Sequence, residues 1–236
     1  MPRNPNCNRC PLSLTAKSVC VWSEGGPPAQ IMFLGRNPGY DEDAQDRPFV
    51  GRSGQLLRNA AHAAGLSDEE IIFTNVVKCL SPENRPPTTE EQLACRPYLE
   101  EELVAYSPRF VFAFGAEAIA FWTGKIPKSV LALQGERWEI DGRYVFPMPH
   151  PSWVLRQGGP PDRPSLAGRE FQAQIQAHLA FIRNLQNGDG GVAPGGRPRV
   201  VLCRTMADVC AALDDLERCE RVAVDTETRG LWWAPD

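Results

Sequence analysis

The sequence has no long apolar run free of charged residues, so no segment is suited to cross a membrane. Its first residues, M-P-R-N-P-N-C, lack the apolar core of a secretory signal, so we expect a cytoplasmic protein. Basic residues are not in excess, because 25 Lys and Arg stand against 29 Asp and Glu and leave a formal net charge of −4. Any contact with nucleic acid must therefore come from a local basic patch.

Histidine is also scarce, with three in the chain. His62 and His178 fall in predicted helices, whereas His150 stands between two prolines, which restrict its backbone. A single histidine is more often structural than catalytic. Because His150 directly follows a predicted strand, it is nevertheless the best candidate for a functional imidazole.

Cysteine, by contrast, is plentiful. Eight cysteines without a secretory signal favour metal ligands or structural thiols over disulfides. Cys7 and Cys10, two residues apart, could chelate a metal from a tight turn, and Cys79 and Cys95 are the partners that we select. From spacing alone, a zinc ion and a four-iron cluster fit equally well. The others are interpreted as small buried residues: Cys20, Cys203, Cys210 and Cys219.

Apolar strand-like runs alternate with helical patterns through most of the chain, which favours an α/β fold. The predicted strands are 31–34, 71–74, 109–114 and 144–148, and the predicted helices are 51–65, 88–106, 116–122 and 167–186.

Polar residues follow these strands where ligand sites gather in open α/β sheets. The first strand runs into a tight turn, G-R-N-P-G at 35–39, and then into the acids of 41–43. Phe49 is well placed to stack on a flat ring, and the amide of Asn75 can donate and accept hydrogen bonds at once. A generic strand-to-helix turn and a capping Asn remain the simpler alternatives.

Three motifs and the four cysteines resemble family 4 uracil-DNA glycosylases, the iron–sulfur branch of that superfamily. The motifs are G-R-N-P-G followed by R-P-F-V-G, then N-V-V-K-C followed by P-E-N-R-P-P, and finally H-P-S-W-V-L-R. The resemblance covers residues 7–185. It implies a three-layer α/β/α fold around a four-stranded parallel sheet. It also implies an enzyme that flips uracil out of DNA and hydrolyses its N-glycosidic bond, leaving an abasic site.

The resemblance also implies roles for individual residues. A 4Fe-4S cluster, with zinc as the alternative, would be held by Cys7, Cys10, Cys79 and Cys95 and would be structural. The substrate-binding residues would be Gly35, Arg36, Glu42, Phe49 and Asn75, with Glu42 crowding a methyl group at C5. The catalytic residues would be Asn37 and His150, and the wedge that fills the DNA stack would be Leu155 and Arg156, in a loop.

The turn departs from the family pattern at one position. Family 4 carries Glu after the first glycine, whereas this chain has Arg36, followed by Asn37. G-x-N-P-G resembles the turn of the mismatch-specific and single-strand-selective branches, where the Asn orients the attacking water. We therefore expect Asn37 to position the water, with Asp41 or Asp43 as the alternative acid.

The C-terminal part has a different character. Residues 187–198 are rich in Gly and Pro and are interpreted as a linker between a domain of residues 1–186 and a segment of residues 199–236. The segment resembles the start of the 3′–5′ exonuclease domain of family A DNA polymerases, which makes Asp225 and Glu227 candidate ligands of a two-metal site. An acidic pair after a strand is the simpler alternative.

These observations predict a glycosylase that is the N-terminal part of a glycosylase–exonuclease–polymerase fusion in a bacterium or a phage-infected cell. Its partner would be uracil-containing DNA, and we expect a monomer. The main alternative is a module that recognises uracil without cleaving it and is tethered to a DNA polymerase.

Overall fold

A computed structural model of the chain describes residues 4–158 and 165–187, together with the two-residue strand Val200–Val201. By its internal contacts the chain divides into units 1–200 and 201–236. Among the described residues, no helix has the length and apolar character needed to span a membrane.

A mostly parallel sheet forms the centre of the fold. The strands are β1 (Ile31–Gly35), β2 (Ile71–Asn75), β3 (Phe110–Phe114), β4 (Trp138–Ile140), β5 (Arg143–Met148) and β6 (Val200–Val201). The first five pair in the order β2-β1-β3-β5-β4, and all of these pairs are parallel except β4 with β5. The four predicted parallel strands are therefore confirmed, and β4 is an addition.

Helices cover both faces of the sheet, as the three-layer prediction requires. They are α1 (Tyr40–Gln45), α2 (Arg52–Ala63), α3 (Thr89–Tyr106), α4 (Ala116–Thr123), α5 (Pro151–Arg156) and α6 (Leu166–Gln186). Buried residues of α3 and α4 pack on one face, and those of α2, α5 and α6 pack on the other. Because β1, β2 and β3 are buried along their whole length, they have continuous apolar sequences rather than alternating ones.

Helix α3 begins where its sequence predicts. The hydroxyl of Thr88 accepts a hydrogen bond from the N–H of Glu91, and the Glu91 carboxylate accepts one from the N–H of Thr88. These two bonds satisfy backbone donors that the first turn leaves unpaired. The predicted apolar face of α3 is only partly right, because Leu99 and Leu103 are buried whereas Leu93 is exposed.

Three short elements have no counterpart in the sequence prediction: β4, α1 and α5. Strand β4 pairs with β5 across Asp141 and Gly142, both of which have positive φ angles. An Asp-Gly turn of this kind is a strong hairpin signal that could have revealed β4. Helix α1 lies in the acidic run, and its buried residues are the acids Glu42 and Asp43, so it has no apolar periodicity.

Candidate functional site

The carboxyl ends of β1 and β2 bring three of the predicted residues together. Gly35 and Asn75 are partners in the strand register. A Cβ atom on Gly35 would lie 2.4 Å from Oδ1 of Asn75 and 2.7 Å from Cζ of Phe49, so only glycine leaves room for both side chains. The Asn75 side chain is buried, and its amide has no hydrogen-bond partner among the described residues. It can therefore offer both its donor and its acceptor to a ligand.

The loop that carries Phe49 is held in an unusual conformation. Phe49 has a φ of 55°, which is rare for an aromatic residue and points to a functional constraint. Its carbonyl accepts a hydrogen bond of 3.1 Å from Nε of Arg58, and its ring lies 5.8 Å from that of Phe73. Gly54 packs so tightly against the Phe49 backbone that a Cβ would lie 2.1 Å from its carbonyl oxygen.

The acids after the turn hold the backbone in place. The two carboxylate oxygens of Glu42 accept hydrogen bonds from the N–H groups of Gly39 and Gly51, at 3.0 and 2.8 Å. Glu42 therefore anchors the turn, and its predicted contact with C5 of a base stays a prediction. Asp43 is buried and accepts hydrogen bonds from the N–H groups of 17 and 18. Of the two alternative acids, only Asp41 is exposed.

Asn37 is clamped between its neighbours. Its Oδ1 accepts a hydrogen bond of 2.6 Å from Nε of Arg36, and its Nδ2 donates to the carbonyl of Pro38 at 2.8 Å. The backbone and side-chain oxygens of Asn84 accept hydrogen bonds from Nη2 of Arg36, at 3.0 and 3.2 Å. Asn84 itself has a φ of 53°. The orientation of the Asn37 amide is thus fixed by side chains on two separate loops.

His150 caps helix α5 with its own ring. Its Nδ1 accepts a hydrogen bond of 3.2 Å from the N–H of Ser152, and the hydroxyl of Ser152 lies 2.8 Å away. Because Nδ1 acts as the acceptor, the proton of the neutral imidazole is on Nε2, which becomes a donor. Burial lowers the pKa of His150 to about 4, with contributions from the positive charges of Arg36 and Arg156, so the ring is neutral near pH 7.

His150 lines a cleft of about 510 Å³ beside the ends of β3 and β5. Gly115 follows β3, and a Cβ there would lie 3.4 Å from the His150 ring. The other charged residues that line the cleft are Arg36, Glu117 and Arg156. Gly35, Asn75 and His150 therefore all stand at the carboxyl end of the sheet. Asn75 lies beside Phe49, whereas His150 is separated from them by the end of β3.

The predicted wedge is helical, which corrects the loop assignment. Leu155 and Arg156 form the last two residues of α5, which begins at Pro151 under the cap provided by His150. Leu155 is half-buried and Arg156 is exposed at the cleft. A role as a wedge stays a prediction.

The four predicted metal ligands lie around one cavity. Cys7, Cys10, Cys79 and Cys95 line it together with Cys20, and all five are free of disulfides. Two sulfurs accept backbone hydrogen bonds, Cys79 from the N–H of 20 at 3.4 Å and Cys95 from the N–H of 78 at 3.2 Å. Among the described residues, no three His, Cys, Asp or Glu side chains converge closely enough to hold a metal ion.

The chemistry of these thiols suits a metal group. Burial raises the pKa of Cys79 to about 11 and that of Cys95 to about 12, so neither thiol ionises near pH 7 by itself. A bound metal would displace their protons and remove the cost of a buried thiolate. N–H groups aimed at the sulfurs are the expected support for such ligands.

Three residues of the site carry no role in the sequence prediction. Ser152 orients His150, Asn84 holds Arg36, and Arg58 supports the Phe49 loop. Ser152 and Asn84 lie within recognised motifs, so the sequence contained a signal for them. Arg58 stands in helix α2 with no local signal, because its role depends on a tertiary contact.

Known proteins resemble this chain over the region just described. The profile of the Uracil DNA glycosylase superfamily matches residues 22–177. A Type-4 uracil-DNA glycosylase of Thermotoga maritima is 39% identical over 155 residues, which make up 65% of this chain and 80% of that protein. The Type-4 uracil-DNA glycosylase of Saccharolobus solfataricus is 37% identical over 194 residues, 78% of this chain and 88% of that protein.

The chain therefore belongs to the uracil-DNA glycosylase superfamily and, within it, to the type-4 family. It is accordingly a glycosylase, a hydrolase of N-glycosyl bonds. A DNA polymerase of Bacillus phage SP01 is also similar, with 31% identity over 135 residues, which make up 57% of this chain and 14% of the polymerase. The predicted exonuclease ligands Asp225 and Glu227 lie outside the described residues.

Proposed function

We propose that this protein removes uracil from DNA by flipping the nucleotide out of the stack and hydrolysing its N-glycosidic bond, which leaves an abasic site. One observation carries the proposal. The side chain of Asn75, which is 5% exposed, lies beside Gly35 and the strained Phe49 at the same end of the sheet as His150. This arrangement offers a ring to stack on, an amide to read a base edge and an imidazole donor.

Phe49 and Asn75 recognise the base. Phe49 stacks on the flipped ring, and Asn75 pairs with the uracil edge, which displays a carbonyl and an N–H side by side. Flipping costs a few kcal/mol, so a pocket that is already shaped for the base offsets part of this cost. The close approach at Gly35 keeps both side chains in place before DNA arrives.

Bond cleavage falls to His150. As the C1′–N1 bond breaks, negative charge develops on uracil, and the N–H of Nε2 can donate to O2. A fixed donor aimed at developing charge contributes about 3 kcal/mol in other enzymes. The hydrogen bond from Ser152 holds the required tautomer, and the low pKa of His150 keeps the ring neutral.

Asn37 positions the water that attacks C1′. An amide is a poor base, so the transition state is dissociative, with an oxocarbenium-like sugar that needs little activation of the water. The clamp on Asn37 fixes the direction in which its amide points.

The four cysteines hold a structural 4Fe-4S cluster. The shared cavity, the free thiols and the N–H groups directed at Cys79 and Cys95 support this assignment. Zinc is the alternative metal, and iron, sulfide and zinc analysis with a visible spectrum distinguishes the two. When bound, the cluster ties the N-terminal segment to α3 and to the loop after β2.

A non-cleaving module is the second candidate. It is favoured by the loss of the family's Glu at Arg36 and by the clamped state of Asn37, whose amide already bonds to protein atoms. Such a module would bind uracil-containing DNA tightly without releasing the base.

The test measures abasic-site formation on a uracil-containing oligonucleotide, followed by alkaline strand cleavage, with enzyme in excess. We expect alkali-labile product from the wild type and a loss of about 100-fold or more in Asn37→Ala. Asn59→Ala, an exposed position on α2, is the matched control. Binding without product would favour the module, and full activity in Asn37→Ala would contradict the role of that residue.

We also propose that residues 199–236 open an exonuclease-like domain of a longer polymerase fusion. The similarity to a phage DNA polymerase supports this extension. Degradation of single-stranded DNA by the full-length protein should require Mg²⁺ and should be lost in Asp225→Ala, whereas uracil release should persist.

A further inference from the structure

Arg36 occupies an unusual place for a cation. It stands in the turn after β1, lines the same cleft as His150 and is half-buried. Burial lowers the pKa of Arg36, but a guanidinium stays protonated at any pH of interest. Its charge is therefore a permanent part of the cleft.

The guanidinium is held rigidly. Its Nε donates to Asn37 at 2.6 Å, and its Nη2 donates to both oxygens of Asn84. The Nη1 group has no hydrogen-bond partner among the described residues. A fixed cation with a spare donor, already partly desolvated, is preorganised to stabilise an anion at little reorganisation cost.

The surrounding charges favour an anion at His150. Arg36 and Arg156 both lower the pKa of the imidazole, so both impose a positive potential on it. Glu117 is the carboxylate among the described cleft-lining residues, and its negative charge partly offsets the lowering of the pKa of Arg36 by burial. With two cations and one carboxylate, the described lining of the cleft has an excess of positive charge.

We propose that Arg36 is a catalytic residue that stabilises the departing uracil as an anion, next to the hydrogen bond from His150. This inference rests on the proposed uracil excision. When the C1′–N1 bond breaks, its electron pair goes to the base and spreads over N1 and O2. Water then adds its hydroxyl to C1′ and releases its remaining proton to solvent, and the uracil anion takes up one proton from solvent after it leaves, so the overall step is hydrolysis.

This role explains how the site works with Arg where the family carries Glu. A carboxylate stabilises the positive sugar, whereas Arg36 acts on the opposite partner in the same charge separation. The carboxylate and Arg36 would lower the same activation barrier, one by stabilising the positive sugar and the other by stabilising the negative base. The rate therefore depends less on the intrinsic acidity of the leaving base when Arg36 is present.

Leaving-group acidity provides the test. Single-turnover release is measured for uracil and for 5-fluorouracil, whose fluorine makes it a better leaving anion. In Arg36→Met, uracil release should fall about 10- to 100-fold, with a clearly smaller loss for 5-fluorouracil. Arg36→Lys, which keeps the charge, should stay close to the wild-type ratio between the two bases.

The controls separate this role from positioning and from folding. Arg109→Met removes one exposed charge at the amino end of β3, the opposite end of the sheet from the site, and should leave both rates unchanged. Circular dichroism and metal content check that Arg36→Met is folded. Equal losses for both bases would overturn the proposal, because they would indicate only the loss of Asn37 positioning, and so would unchanged rates. A wild type without uracil release would instead overturn the proposed function.

Discussion

At the scale of single residues, His150 shows how a helix cap can fix the tautomer of a functional imidazole. Its ring caps α5, and the capping bond fixes which nitrogen carries the proton. The sequence could indicate the importance of His150, because two prolines flank it at the end of a strand. It could not give the tautomer or the depressed pKa, since both depend on burial and on Arg36 and Arg156, which are distant in sequence.

The pH dependence of excision follows from this environment. Because His150 is active when neutral and its pKa is lowered to about 4, the single-turnover rate should stay level from pH 7.5 to about 5 and fall only as the pH approaches 4. In Arg36→Met, the residual rate should begin to fall at a higher pH, because removing a nearby cation makes protonation easier. A fall centred near 6.5 in the wild type would contradict the assignment.

At the scale of secondary structure, the segment after β2 joins two functional regions. Asn75 ends the strand, and Cys79 lies four residues later at the cysteine cavity. Between them the buried Lys78 donates hydrogen bonds of 2.6 Å to Thr74 and to Glu102 of α3. This ion pair fixes the path of the segment, and therefore the spacing between the base pocket and the thiols.

Two of the ion pairs of α3 should differ sharply in their contributions to stability. Glu102→Gln leaves the ammonium of Lys78 buried without its charge partner, which should cost about 3–5 kcal/mol. Glu100→Gln breaks the exposed pair with Arg96 and should cost no more than about 0.5 kcal/mol. Urea denaturation of both variants provides the comparison, and similar midpoints would contradict this account.

The helices that the sequence predicted are longer than those that it missed, and the predicted and missed elements are buried for different reasons. Long amphipathic helices such as α6, and buried strands such as β3, have patterns that depend on local residues. Helix α1 was missed because Glu42 and Asp43 are buried for their hydrogen bonds rather than for apolar contact. Helix α5 was missed because it has six residues and starts from a histidine cap.

At the scale of the whole molecule, the cysteine cavity connects parts that are distant in sequence. Cys7 and Cys10 come from the N-terminal segment, Cys79 from the loop after β2, and Cys95 from α3. The four cysteines that the spacing groups all line this cavity, and their role as ligands of one metal group stays a prediction. The spacing could not place Cys20 beside the same cavity, because that residue stands outside the repeated pattern.

Two cysteine variants should separate ligands from neighbours. Cys79→Ala should lose iron and lower the melting temperature, because a ligand is removed. Cys20→Ala should retain iron, since the backbone N–H of 20 that bonds to the Cys79 sulfur is kept. Metal and sulfide analysis after anaerobic purification provides the measurement. Equal loss of iron in both would contradict the four-ligand assignment.

The order of the strands has a kinetic consequence. The turn after β1, Asn75 at the end of β2 and His150 after β5 come to the same end of the sheet only when segments more than a hundred residues apart in the chain have joined it. During refolding, hydrogen-exchange protection in β1 and β2 can precede the docking of β5, whereas glycosylase turnover cannot. Recovered turnover would thus report completion of the sheet, and truncation before Arg143 would abolish turnover without removing Phe49 or Asn75.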